Sequence, residues 1–511
     1  MREASTGLLV EVDPASNVTD LLLEQDAANP AHALYRRKGP NGWVDVPVSR
    51  FVHDVKALAK GLIAGGLEPG DSVGVMAATS YQWTLVDFAI WFAGGVTVPL
   101  RPTSRPSELE WVLADSGARR VFAENRTTAR LLTGVLAGSV SLRDRLVNVV
   151  RMEDDGVAPN LASLAAAGAG VSDAELERHR SRAGLSDVAA LHYTYGSTLE
   201  PKGCELTHGN FALVATNMVA FLPELLLQEQ ARSLMYLPMD HVLARSVQVV
   251  CLAAGATLGH TAGPDQLMGD LGTFRPTFLP VTPRLLEQAR AASAQTAAMA
   301  GKARLFSAAS RAAVRYSGEQ ELAGRGEGEG ANVLSRARHA VFDRLVYARL
   351  RQDFGGELAY AVSGGGLPVA EATHFFRAAG VAVLAGFGLA QTTSLCTVNT
   401  PAHTKVGSVG IPIPGTTIRV AEDGEVLVKG IGVFRGYRGD RVADAAAFTD
   451  GFYRTGYLGG LDQEGYLTIS GRRVPYGAVV GHGFERCRPT PGWKQPLRPR
   501  APARGAGAWA T

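Results

Sequence analysis

Residues 193–203, Tyr-Thr-Tyr-Gly-Ser-Thr-Leu-Glu-Pro-Lys-Gly, constrain this chain more than any other stretch. Hydroxyl residues and glycine crowd into a few positions, and a Pro-Lys-Gly turn follows. Thr207, His208 and Asn210 come next, and a helix is predicted from about Gly209. Upstream, residues 187–194 read as a short buried strand ending at the turn. A strand that runs into Gly, Ser, Thr and Lys presents backbone N–H groups and hydroxyls to a phosphate chain. Lysine adds a mobile positive charge, and glycine lets the backbone approach closely. The common phosphate loop is excluded, because no Gly-Lys-Ser/Thr ending is present. An ordinary polar loop between strand and helix is the competing reading, and these residues alone leave both open.

A chain of 511 residues exceeds one ordinary core and should divide into subdomains. Hydrophobic content of 46% with 19% charged residues describes a globular protein rather than a disordered one. The net charge of +3 is too small to argue for nucleic acid, and much of the positive charge sits in a basic tail. Cys204, Cys251, Cys396 and Cys487 lie far apart, forming neither a disulfide framework nor a metal pattern. A reducing cytoplasm is the expected setting. Arg2 and Glu3 are followed by no apolar core or cleavage site, so no signal peptide is expected. The most apolar stretch, 88–100, contains Gly94-Gly95 and is too short to span a bilayer.

Residues 29–37 and 43–46 suggest two strands around the turn at 39–42, and 49–65 a helix with a glycine stop. Buried strands are predicted near 72–76, 96–100 and 120–124, alternating with helices at 81–93 and 106–116. That alternation argues a parallel sheet with helices on its faces. Residues 126–182, rich in Ala and Gly, read as helices and a variable loop. A long helical insertion is expected over 287–351, broken by the glycines at 324–330. Strand–glycine-turn units follow at 360–368 and 381–393, then a glycine-punctuated β region.

The segment 193–203 resembles the Tyr-Thr-Ser-Gly-Thr-Thr-Gly-x-Pro-Lys-Gly signature of the adenylate-forming superfamily, departing from it at Tyr195, Ser197 and Leu199. From about residue 18 to residue 473 the chain is most similar to the bacterial long-chain fatty acid–CoA ligases of that superfamily. The resemblance implies an α/β fold with nucleotide- and acyl-binding subdomains over 1–405 and a small β-barrel subdomain over 406–473. It implies ATP, Mg²⁺ and coenzyme A, a long-chain fatty acid, no nucleic acid, and room for peripheral membrane contact. Thr194, Gly196, Ser197, Thr198 and Lys202 would then face the phosphates, with Lys202, Thr198 and His241 as catalytic residues. His241 lies in Tyr-Leu-Pro-Met-Asp-His-Val-Leu-Ala-Arg, similar to the family's Leu-Pro-x-x-His-x-x-x-Arg; the competing reading is a helix cap or core histidine. Gly364, Gly365 and Gly366 would lie against adenine, with Gly386, Phe387 and Gly388 forming the second turn and Phe387 stacking on the base. The block at 275–287 would shape an acyl tunnel, and the helical insertion is what favours a long-chain substrate.

Three departures touch the chemistry. Gln391 stands where the family has Glu, offering Mg²⁺ a carbonyl oxygen without charge, and Ala390 lacks the neighbouring hydroxyl. Tyr457 replaces the ribose-binding Asp, near Arg472 of the Gly-Arg-Arg segment. After Arg473 the family continues with a hinge charge, a mobile C-terminal lid domain and a lysine. Residues 474–511 instead hold six prolines, six glycines and one acidic residue, Glu485, so a disordered basic tail is expected and the lid domain is missing from the pattern. A frameshift near codon 474 or a degenerate gene would account for the change. The frameshift predicts a Gly-Gly-Lys-like stretch and a later Lys in a neighbouring frame. The functional alternatives are an impaired ligase, a pseudoenzyme binding nucleotide or acyl ligand, and an acyl-AMP ligase that loads a carrier protein.

Overall fold

The structure, a computed structural model, describes residues 2–139, 142, 148–153, 156–157, 159–194, 201–367 and 369–473. Gly196, Ser197 and Thr198 of the hydroxyl-rich turn lie outside the described residues, as does the predicted tail at 474–511.

A seven-stranded sheet forms the largest layer. Its order is Gly436–Tyr437, Lys202–Thr207, Val188–Thr194, Val96–Pro99, Ser72–Met76, Arg120–Ala123, Asn148–Arg151. The five strands from Val188–Thr194 to Asn148–Arg151 are parallel, as the strand–helix alternation predicts. Ser72–Met76, Val96–Pro99 and Arg120–Ala123 are buried at every position, which fits strands covered on both faces. Helix Tyr81–Phe92 is apolar around nearly its whole circumference and correspondingly buried; Ser80 caps it by accepting from Trp83 N–H. Helix Pro106–Ser116 begins on proline and stops at Gly117, whose φ of 65° suits a residue without a side chain. The edge strand Asn148–Arg151 is a correction, since 126–182 reads as helix and loop. Four residues at a sheet edge are too few to display a period.

A second sheet joins the hairpin Ala33–Gly39 and Gly42–Pro47 to Thr257–His260 and Arg232–Met235. A third runs Phe278–Val281, Tyr360–Ser363, Ala382–Leu389, Ser394–Val398, Ile411–Pro412. A fourth, antiparallel and six-stranded, occupies the end of the described chain and starts at Thr416, later than the boundary read at 406. Its outermost strand is Glu3–Thr6, paired with Thr416–Val420, in a region that carries no sequence signal. The insertion consists of helices Pro283–Met299, Ala303–Gly324 and Val333–Phe342, a π-turn at Asp343–Tyr347, and helix Ala348–Asp353. Among the described residues no helix is long and apolar enough to cross a membrane.

Inside the main core, Arg245 and Asp87 are both fully buried, with Arg245 Nη2 2.6 Å and Nε 3.1 Å from the carboxylate oxygens. The guanidinium lies 5.0–5.6 Å from the ring centres of Trp91, Phe211 and Trp83. Thr97 and Gln248 donate to the same carboxylate, so the charge is satisfied on every side. This fixes helix Val242–Ala254, and with it His241, against helix Tyr81–Phe92.

Candidate functional site

Strand Val188–Thr194 turns back antiparallel into Lys202–Thr207, with Thr194 opposite Lys202. The sequence places Lys202 in a turn leading toward a helix; instead it begins a strand, and the helix starts at His208. Buried Cys204 and Leu206 alternating with less buried Glu205 and Thr207 give the strand its pleat. The helix N-terminus beside Lys202 is therefore not that of the following helix but that of Arg441–Ala447, whose N-cap is Asp440. Thr207 and Asn210 form a capping box at the start of helix His208–Phe221, so their polar atoms serve the fold. Thr194 Oγ1 donates to Lys202 O at 3.4 Å.

Lys202 Nζ donates to Asp440 Oδ2 at 3.2 Å and stands 5.4 Å from the centre of the Tyr437 ring. Tyr437 OH accepts from Gln391 Nε2 at 3.2 Å. Tyr437 thus bridges the Lys202 strand and the turn carrying Gln391, whose backbone carbonyl also accepts from Phe434 N–H at 2.9 Å. Residues 434–437 read in sequence as part of the glycine-punctuated β region, with no site role for Tyr437 or Asp440; Gly436–Tyr437 instead joins the seven-stranded sheet as the partner of Lys202–Thr207. Burial raises the Tyr437 phenol above its usual range. The Ala443 N–H and then Lys202 hold the Asp440 carboxyl below the usual carboxylate range.

Gly386, Phe387 and Gly388 do not form a turn, which corrects the sequence expectation. Strand Ala382–Leu389 runs through them, leaving its parallel partner Tyr360–Ser363 for the antiparallel Ser394–Val398 with a bulge at Phe387/Gly388. A Cβ on Gly386 would stand 2.8 Å from Thr397 O, and one on Gly388 1.6 Å from Ser394 O. These glycines are fixed by the approach of two backbones. The turn falls at Ala390–Thr392, which presents Gln391. Gly365 has φ 76° and open space where a side chain would stand, whereas a Cβ on Gly366 would touch Pro283 at 3.3 Å.

Phe387 is 8% exposed, and its ring meets Tyr457 edge-on at 5.2 Å and 73°. The Arg472 guanidinium lies 5.4 Å from the Tyr457 ring centre, from the directly paired position on the next strand. Phe387, Tyr457 and Arg472 therefore form a row of contacts, with Phe387 turned into the core of the small sheet.

His241 is the N-cap of helix Val242–Ala254, its Nδ1 accepting from Leu243 N–H at 3.3 Å. An imidazole that accepts at Nδ1 keeps its hydrogen on Nε2, so capping leaves an N–H donor for a ligand. As a residue His241 is exposed, while burial of its imidazole lowers the ring's pKa below the usual value. Two residues further along the same helix, Leu243 lines an apolar cavity together with Val247, Met218, Leu225, Phe278 and Gly364. A Cβ on Gly364 would lie 3.5 Å from Leu243 Cδ2, so the helix carrying His241 and the first glycine segment share a wall.

Mg²⁺ does not fit the donor set at Gln391. Its amide N–H is committed to Tyr437, leaving one uncharged carbonyl oxygen for a cation that favours carboxylates. Among the described residues no three His, Cys, Asp or Glu side chains converge to hold a metal.

The sequence model of the AMP-binding enzyme family matches residues 24–438. The chain is 39% identical over 474 residues to the long-chain-fatty-acid–CoA ligase FadD15 of Mycobacterium bovis, covering 93% of this chain and 77% of that protein. The FadD15 of Mycobacterium tuberculosis matches with the same identity and coverage. Among solved structures, the N-terminal domain of FACL13 from Mycobacterium tuberculosis superposes with a TM-score of 0.67 at 20% identity, over 89% of this chain and all of that one. A loop pair meeting at Tyr437, an apolar cavity walled by Gly364, and similarity of this extent place the chain in the AMP-binding enzyme family.

Proposed function

We propose that this chain is a long-chain fatty acid–CoA ligase that works through an acyl-adenylate. A carboxylate oxygen attacks the α-phosphorus of ATP and pyrophosphate leaves. The thiol sulfur of coenzyme A then attacks the acyl carbonyl, and AMP leaves. The observation that carries this reading is the shared wall at Gly364 and Leu243. An acyl chain in the apolar cavity would bring its carboxylate to the His241 side of the glycine segment. His241 Nε2–H donates to an oxygen of the reacting group as charge moves onto it. Lys202 leaves Asp440 to meet the phosphates, with Thr194 and the turn holding Gly196, Ser197 and Thr198 beside it. Gly364, Gly365 and Gly366 lie along one side of the base and Gly386, Phe387 and Gly388 along the other, with Tyr457 and Arg472 toward the ribose and Gln391 at the phosphate side. Mg²⁺ belongs to the nucleotide substrate, and no step rests on a resident ion.

A second reading is favoured by the commitment of Lys202 to Asp440 and of Gln391 to Tyr437: a protein that binds nucleotide or acyl ligand without turnover. Pyrophosphate release on adding palmitate, ATP and Mg²⁺, followed by coenzyme A, separates them. Release and thioester formation, both lost in Lys202→Ala, support the ligase. Release without thioester, rescued by a carrier protein, supports a carrier-loading enzyme. ATP binding with no release supports the non-catalytic binder.

A further inference from the structure

The apolar cavity holds two polar side chains, Ser246 and Ser394; every other described side chain on its wall is apolar. Ser246 belongs to helix Val242–Ala254, in the stripe Leu243, Ser246, Val247, Val250 that faces the cavity. Arg245 and Gln248, elsewhere on the helix, are committed to Asp87. Ser246 is 5% and Ser394 6% exposed.

Neither hydroxyl has a hydrogen-bond partner among the described residues. A serine or threonine inside a helix commonly donates to the carbonyl four residues back. Thr216, Ser293 and Thr296 do so, each at 3.0 Å. Ser246 does not. Ser394 follows Thr393 in left-handed backbone, with φ of 119° and 53°. Thr392 Oγ1 donates to Ser394 O at 2.8 Å, and Thr393 Oγ1 to Gly432 O at 2.7 Å. The backbone there is held while the Ser394 hydroxyl is left over. A buried hydroxyl without a partner is unfavourable where an apolar side chain would pack freely. Two in one apolar cavity point to a ligand that brings the missing partner.

A Cβ on Gly364 would lie 3.3 Å from Leu395 Cδ2 and 3.5 Å from Leu243 Cδ2. Ser394 directly precedes Leu395, and Ser246 stands about one helical turn, ~5 Å, beyond Leu243. Both therefore belong to the Gly364 end, where the carboxylate lies in the ligase reading on which this inference rests.

We propose that the cavity selects a fatty acid carrying a hydroxyl close to its carboxylate, bonded by Ser246 and Ser394. A substrate hydroxyl can donate to one serine and accept from the other. A plain chain leaves both unpaired, and a hydroxyl far along the chain meets hydrocarbon walls. The test is calorimetric binding of palmitate, 3-hydroxypalmitate and 16-hydroxypalmitate to the full chain without nucleotide, so that turnover plays no part. 3-Hydroxypalmitate is expected to bind about tenfold more tightly than the other two. Ser246→Ala and Ser394→Ala should each cut that preference to about threefold, and together abolish it. Ser246→Thr, which keeps the hydroxyl, should retain it, and unchanged melting temperatures show that the variants fold. The inference is overturned, and the ligase reading left standing, if palmitate or 16-hydroxypalmitate binds as tightly as 3-hydroxypalmitate. A preference that survives the double alanine variant overturns it too. If none of the three acids binds, the cavity is not an acyl site, and the ligase reading loses its carrying observation together with this inference.

Discussion

Arg245 takes its place from three aromatic rings and one carboxylate, all out of reach of water. Asp87→Asn leaves that guanidinium buried and unpaired, which should cost about 3–5 kcal/mol in urea unfolding. Replacing both partners, Asp87→Leu with Arg245→Met, should recover most of the loss, since neither charge is then stranded. If the double variant is no more stable than Asp87→Asn, the pair is not the source of the effect. The arginine is visible in the Leu-Pro-x-x-His-x-x-x-Arg pattern, but its partner lies 158 positions away and nothing local to either residue announces the pairing. His241 shows the same limit differently. Capping a helix and facing a ligand look like alternatives in sequence, yet the two ring nitrogens let one imidazole do both.

At the scale of elements, the strand through Gly386 and Gly388 and the loop at Gly365 make opposite demands on glycine. Gly388→Ala would force a methyl to 1.6 Å from the Ser394 carbonyl oxygen, in the backbone of a buried strand that cannot step aside. A loss of about 4 kcal/mol or failure to fold is expected. Gly365→Ala meets open space and pays only for φ 76°, about 1–2 kcal/mol. Chemical denaturation of both variants checks the order, and equal losses would refute it. Glycine clusters are legible in sequence; whether each marks a turn or a close crossing of strands is not, because the crossing depends on a partner strand. The same gap explains Lys202–Thr207, where a hairpin return looks like a turn before a helix.

For the whole molecule, burial couples stability to acidity. Burial pushes the His208 imidazole down to about 4 and that of His260 down to about 3, both far below the ~6.5 of an unfolded chain. Unfolded chains therefore take up these protons first. Stability is whole above about pH 7 and falls as the medium is acidified from ~6.5 toward ~4, by about 3 kcal/mol from His208 alone. Melting across that range should show the fall, and His208→Gln should make it shallower while His260 keeps its share; an unchanged slope would remove His208 from the account.

The sequence determined the alternation that makes a parallel sheet, the buried strands at Ser72–Met76 and Arg120–Ala123, the helical insertion and its break, and membership of the AMP-binding enzymes. All of these rest on local periodicity, composition and short motifs, which a chain carries wherever it goes. Only the tertiary structure decided that Glu3–Thr6 edges a sheet formed more than four hundred residues later, that Gly386–Gly388 is strand, and that Tyr437 joins Lys202 to Gln391. Those outcomes are pairings between distant backbones and side chains, and their energy exists only when both partners are in place.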